Sequence, residues 1–150
     1  MKTLLTLVIS GLFTTLPAFA TADEMMDDPL IVTMDEVDLN QLKWKKRPVV
    51  VFADTPDDPA FGTQISLLEA REAPLRERDV LVITDTDPEV ASDLRKRLRP
   101  RGFMLAIISK EGQVILRKPF PWDVREITRS IDKMPLRKRE IRTRNETAVQ

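Results

Sequence analysis

Pro48-Val49-Val50-Val51-Phe52-Ala53-Asp54-Thr55-Pro56-Asp57-Asp58-Pro59 is the stretch on which the fold turns. Its first half is a continuous apolar run rich in β-branched residues, the pattern of a strand buried on both faces. Asp54 to Asp58 break that run. Pro59 then stands where the first turn of a helix tolerates a missing N–H, with Asp57 or Asp58 as the N-cap. Phe61, Ile65, Leu68 and Leu75 follow on a single apolar helical face. Pro74 predicts an end to this helix near Ala73. A buried strand running straight into a capped helix is the opening of a βα unit.

Outward from that unit the alternation continues. Val80-Leu81-Val82-Ile83 reads as a second buried strand. Asp87-Pro88 repeats the cap-then-proline start, and Val90, Leu94 and Leu98 predict a second helix ending before Pro100. Phe103 to Ile108 form a third strand, and Glu111-Gly112 supplies a tight turn. Val114 to Arg117 then return as an antiparallel strand. Pro121 and Trp122 open a last helix with Val124, Ile127, Ile131 and Met134 on one face, ended by Pro135. The predicted order is β-α-β-α-β-β-α. This is an α/β fold: a mixed four-stranded sheet in a three-layer sandwich, with the parallel βαβ and antiparallel ββα halves of a thioredoxin-like domain.

The flanks carry a different signal. Residues 1–20 read as an export signal: Lys2 in a short basic start, an apolar run from Leu4 to Phe13, and the small-x-small tripeptide Ala18-Phe19-Ala20. Cleavage is expected after Ala20, which predicts a periplasmic or secreted protein. Residues 21–38 form an acidic extension, 39–141 the thioredoxin-like domain, and 142–150 a C-terminal tail. The 150 residues balance 24 Lys and Arg against 24 Asp and Glu, so charge is informative only in its distribution. Lys133, Arg137, Lys138, Arg139, Arg142 and Arg144 make the end basic, which allows weak contact with an anionic membrane. Nucleic acid is not an expected partner, because the basic end has no interleaved aromatic residues.

Three stretches carry a family resemblance. The first is Trp44-Lys45-Lys46-Arg47-Pro48 leading into the first strand, then Asp58-Pro59 and Gln64. The second is Glu77-Arg78-Asp79 leading into Val80 to Ile83. The third is Ser109-Lys110-Glu111-Gly112, with Ile131-Asp132-Lys133-Met134-Pro135-Leu136-Arg137 beyond it. In this order and spacing the chain resembles the P-DUDES domains, a family of unknown function with a thioredoxin-like or peroxiredoxin-like fold. Such domains occur in exported bacterial proteins and in extracellular animal proteins with sushi repeats. The resemblance implies fold and exported location, and no reaction.

It also implies where an ancestral reaction centre would stand. Thioredoxin-like enzymes hold their thiolate just after the first strand, at a helix N-terminus whose positive end favours an anion. Here that segment holds Thr55, Asp57 and Asp58. Arg101-Gly102-Phe103 resembles the Arg-bearing segment of peroxiredoxins, although its Arg is offset from that pattern. The chain contains no Cys, His or Tyr. Thiol redox chemistry, Ser-His and Cys-His pairs, and imidazole or thiolate metal sites are therefore excluded. Asp54, Asp57 and Asp58 supply oxygen ligands, but their spacing matches no calcium loop and helix capping accounts for them; no metal and no cofactor are expected. Arg47 and Arg117 are read as partners of nearby acids, and Trp44 and Trp122 as packing residues. The expected function is an exported, non-catalytic module that binds an envelope or extracellular protein or a small ligand. If a ligand site exists at this corner, it is made of Thr55, Asp57, Asp58 and Arg101. The alternative is a non-redox enzyme using the same aspartates.

Overall fold

The computed structural model describes residues 28–149; the expected signal peptide and its cleavage site after Ala20 lie outside the described residues. Five strands form one mixed sheet in the order β1-β3-β2-β4-β5. They are β1 (Ile31–Thr33), β2 (Arg47–Phe52), β3 (Val80–Asp85), β4 (Met104–Ile108) and β5 (Val114–Lys118). β1, β3 and β2 run parallel, while β4 and β5 are antiparallel additions. Among the described residues six α-helices and a short 3-10 helix at Met34–Glu36 accompany them: α1 (Leu39–Leu42), α2 (Pro59–Glu69), α3 (Glu72–Arg76), α4 (Asp93–Leu98), α5 (Val124–Asp132) and α6 (Pro135–Ala148).

The apolar run of β2 has the two-sided burial its sequence demands. Successive strand side chains point to opposite faces. Val49 and Val51 therefore join Leu68, Leu75, Val124, Ile127 and Ile131 from α2, α3 and α5. Val50 and Phe52 join Leu94 and Leu98 of α4 on the other face. That second face is finished by Val37, Leu39 and Leu42 from the segment between β1 and β2. The sheet is thus covered on both sides, and β2 lies at its centre.

Several expectations need correction. The sheet has five strands, not four, because Ile31–Thr33 in the acidic extension pairs with Val82 to Thr84. Pro74 does not end α2, which stops at Glu69; it stands in the first turn of α3, where its absent N–H has no helical partner to lose. Asp87 accepts the Glu89 N–H but starts no helix; α4 begins after Ser92, whose hydroxyl accepts the Arg95 N–H. Val90, expected on the helical stripe, is 64% exposed. Pro135 ends α5 by opening α6 in its place, and α6 runs through most of the expected C-terminal tail. Trp44 is not a packing residue: it is exposed and holds a left-handed φ of 66°.

Candidate functional site

The corner after β2 is built as a cap. The Asp58 carboxylate accepts the Ala60 N–H at 2.8 Å and the Phe61 N–H at 3.3 Å, with Pro59 at the first helical position. These are two of the N–H groups a helix start leaves without intrahelical partners. The Thr55 hydroxyl accepts the Asp57 N–H at 3.3 Å, and the Thr55 carbonyl accepts the Asp58 N–H. Asp57 and Arg101 are exposed, and among the described residues neither makes an ion pair. Thr55, Asp57 and Asp58 thus share one short turn, while Arg101 stands in the loop before β4 without joining them. Among the described residues no group of three or more acids converges as metal ligands.

Close to this corner lies a buried pair, Asp85 with Arg95, whose pairing the sequence did not announce. Arg95 donates from Nε and a terminal nitrogen to Asp85 Oδ1 at 2.9 and 2.7 Å. The same terminal nitrogen donates to the carbonyls of Ala53 and Asp85. Ser92 donates to Asp85 Oδ2 at 2.7 Å, and the Arg95 guanidinium lies 5.5 Å from the Phe52 ring centroid. With Asp85 5% and Arg95 8% exposed, both groups are committed to each other. They brace the loop after β3 against the end of β2, and neither is free for chemistry.

A wide concavity lies elsewhere among the described residues. A cleft of 1210 Å³ opens on the second face of the sheet, between the β1–β2 segment and α4. Its apolar lining includes Val37, Leu39, Leu42, Pro48, Leu94 and Ile108. Neither Thr55, Asp57, Asp58 nor Arg101 borders it. The signal for it in the sequence was weak: Val37, Leu39 and Leu42 stand in and beside an acidic stretch with no long periodic run.

At the opposite sheet end from the Asp58 corner, four cations and four carboxylates interlock: Arg47, Arg78, Lys110 and Arg137 with Glu77, Asp79, Asp132 and Glu140. Arg47, fully buried, donates to Glu140 Oε1 at 2.9 Å and to the Arg78 carbonyl at 2.8 Å. Lys110 reaches Asp79 at 2.8 Å and Glu140 at 3.0 Å. Arg78 grips Asp132 through two parallel bonds of 2.9 and 2.8 Å. Burial pushes the Glu140 carboxyl up, but the hydrogen bonds from Arg47 and Lys110 outweigh it and hold the group below the usual carboxylate range. Asp132 is likewise raised by burial and lowered further by Arg78 and Arg137, with a net downward shift. The Asp132 hydrogen bond in turn raises Arg78. Arg47 pairs with acids as expected, whereas Arg117 donates to the Leu98 carbonyl. Trp122 packs against the core as expected, and its backbone N–H is held by Gln64 at 2.7 Å.

Comparison with known proteins agrees with this geometry. The family model described as a domain of unknown function, DUF4174, matches residues 38–140. No curated protein matches the chain. Among solved structures, the reduced 2-Cys peroxiredoxin of Plasmodium vivax is similar with a TM-score of 0.54 and 17% identity, over 64% of this chain and 81% of that one. Plasmodium yoelii Prx1a, modified at its N-terminus, gives a TM-score of 0.50 at 18% identity, over 64% of this chain and 77% of that one. Identities this low establish a peroxiredoxin-like fold and nothing about activity.

Proposed function

Because the chain belongs to the DUF4174 domain family and its peroxiredoxin-like fold carries no thiol, we propose that it is an exported, non-catalytic binding module. The cleft between the β1–β2 segment and α4 is its binding surface. The observation that carries this reading is the separation of concavity from chemistry. The cleft sets apolar residues such as Val37, Leu42, Pro48, Leu94 and Ile108 among a larger number of polar and charged ones, a mixture that can both bury and orient a ligand. The corner where thioredoxin-like enzymes react is instead an exposed turn whose Asp58 is occupied by capping. A non-redox enzyme using Thr55, Asp57, Asp58 and Arg101 would need these groups to converge around a substrate atom. Export is supported by the signal-like residues 1–20 and by the likeness of three stretches to the P-DUDES domains.

Site-specific crosslinking tests the reading. A photoreactive side chain at Val90, an exposed cleft residue, is expected to give a discrete adduct in envelope extract, while one at Asp57 gives none. Adducts at Asp57 alone would move function back to the corner. For export, the mass of protein recovered from the periplasm is expected to begin at Thr21; retention of Met1 to Ala20 would overturn that part.

A further inference from the structure

The rim of the cleft is polarised along the strands. Thr33 pairs in register with Thr84, so Asp35, just beyond β1, and Asp87, just beyond β3, share the end of the cleft toward the strands' C-termini. Lys43 and Lys46 immediately precede β2 and border the other end. Arg97 joins them there. Its guanidinium donates to the Gly112 carbonyl at 3.2 Å, and Lys43 Cε lies 3.4 Å from where a Cβ would stand on the same glycine. Among the described residues Lys43, Lys46 and Arg97 make no ion pair, whereas Lys110, also in the lining, is engaged by Asp79 and Glu140; Glu111 is an acid at that end. Cations therefore prevail at one end, with Glu111 beside them, and Asp35 and Asp87 mark the other; Asp38 and Asp93 also border the cleft, as do the apolar Leu42, Pro48 and Leu94.

Resting on the reading that this cleft binds, we propose that its occupant is an extended segment of a partner protein. That segment carries acidic side chains at one end for Lys43, Lys46 and Arg97, a basic residue at the other for Asp35 and Asp87, and apolar residues between. Three features select a peptide over a small amphiphile. The cleft's 1210 Å³ exceeds the roughly 300–1,000 Å³ of ordinary small-molecule pockets. Both ends are charged, with opposite signs, whereas a fatty carboxylate leaves the Asp35 and Asp87 end uncompensated. The span is also right for extended chain. From Pro48 to Phe52, whose partner Asp85 marks the acidic end, is about 13 Å at the strand rise of about 3.3 Å per residue. An extended segment then places its acid and its base about four residues apart.

Panning a displayed library of random twelve-residue peptides on the full chain tests this without assuming a partner. The expected outcome is enrichment of peptides with acids and a base separated by three to five mostly apolar residues. The enriched peptide, measured by fluorescence anisotropy, is expected to bind at least tenfold more weakly to the Lys43→Glu, Lys46→Glu double variant. A version of the peptide with lysine in place of its acids is expected to regain binding to that variant. Circular dichroism checks that the variant is folded. Enrichment without charge polarity, or affinity indifferent to the double variant, would overturn the proposal while leaving the cleft as a binding surface. Saturable binding of sodium palmitate with no peptide enriched would overturn it in favour of a lipid-like ligand. Peptide binding that survives Leu42→Asp would instead remove the cleft itself.

Discussion

The two ends of the central sheet differ in how much of their charge joins distant parts of the chain. Beside the Asp58 corner the buried Arg95–Asp85 pair does so, while the other end is a network of eight charged residues. At the end where β2 runs into α2, Thr55, Asp57 and Asp58 bond only to their own turn, and Arg101 stands apart. At the other end, charges from β2, the α3–β3 turn, the β4–β5 turn, α5 and α6 interlock over long sequence separations, 93 residues for Arg47 and Glu140. The residues behind the family resemblance divide accordingly. Arg47, Arg78, Asp79, Lys110, Asp132 and Arg137 all belong to the ionic end. The charged residues of those stretches thus hold the C-terminal helix against the rest of the fold. α6 buries a single residue among those it contributes, Arg137, so ion pairs rather than an apolar stripe anchor it.

The largest effect is therefore expected at the ionic end. Glu140→Ala takes from the buried Arg47 guanidinium its nearest carboxylate, leaving Asp79 at 3.8 Å, and from Lys110 one of its two acids. Breaking a buried pair from one side costs about 3–5 kcal/mol; because Glu140 keeps 23% of its side chain exposed, a loss of about 2–3 kcal/mol is expected by urea unfolding. Arg47→Met combined with Glu140→Leu should recover most of that loss, since the damage comes from a buried charge left with a weaker partner. A single-variant cost below about 0.5 kcal/mol, the scale of surface changes, would show the network to be solvated decoration.

Acid gives the next effect. Glu140 and Asp132 have carboxyls held below their usual values in the folded protein, so the unfolded chain takes up protons first as pH falls. Their stabilisation is complete above the ordinary carboxylate range of about 4 and is lost as pH drops through the depressed native values. The thermal midpoint is expected to be flat from pH 7 to about 5.5 and to fall below about 4.5. Glu140→Gln should start lower at neutral pH and show a shallower acid decline. A midpoint that rises on acidification would reverse the sign of this argument.

How far such contrasts can be read from sequence depends on the range of the interactions. β2, the Asp58 cap and the α5 face of Val124, Ile127 and Ile131 rest on neighbours within a turn or on a continuous apolar run, and all are legible. β1 was hidden because three residues, Ile31-Val32-Thr33, are too short for a period to emerge from an acidic stretch, although two β-branched aliphatics beside Thr33 were a usable hint. Pro135 is ambiguous by chemistry: the missing N–H that ends one helix is harmless at the start of the next. The ionic end and the cleft were not legible, because pairing between Arg47 and Glu140, or convergence of Lys43 and Arg97 on Gly112, follows from topology. No periodicity encodes it. The one local signal was Arg47 itself, a charge set directly against a wholly buried strand.

At the corner the effects shrink. Asp58→Ala removes the acceptor for the Ala60 and Phe61 N–H groups and is expected to cost about 0.5–2 kcal/mol, the range for losing an N-cap. Calorimetric or urea unfolding reads it directly. Binding at the cleft should be unchanged, since Asp58 does not border it. A loss of cleft binding with stability intact would join the two regions that the structure separates.

The smallest effect is the one that isolates the corner from Arg101. A working anion site would need Arg101 and Asp57 to act through a shared ligand or each other, and such coupled residues have interaction energies of about 0.5–3 kcal/mol. Here both side chains are exposed, and among the described residues neither makes an ion pair. Arg101→Ala and Asp57→Ala are each expected to change stability by less than about 0.5 kcal/mol, as surface substitutions do. Their double variant should equal the sum of the singles within about 0.3–0.5 kcal/mol. The same cycle, repeated on the affinity of a peptide selected against the full chain, should also close to zero. Coupling well above that error in either cycle would mean that Arg101 and Asp57 meet in solution, and the corner would regain its claim to be a site.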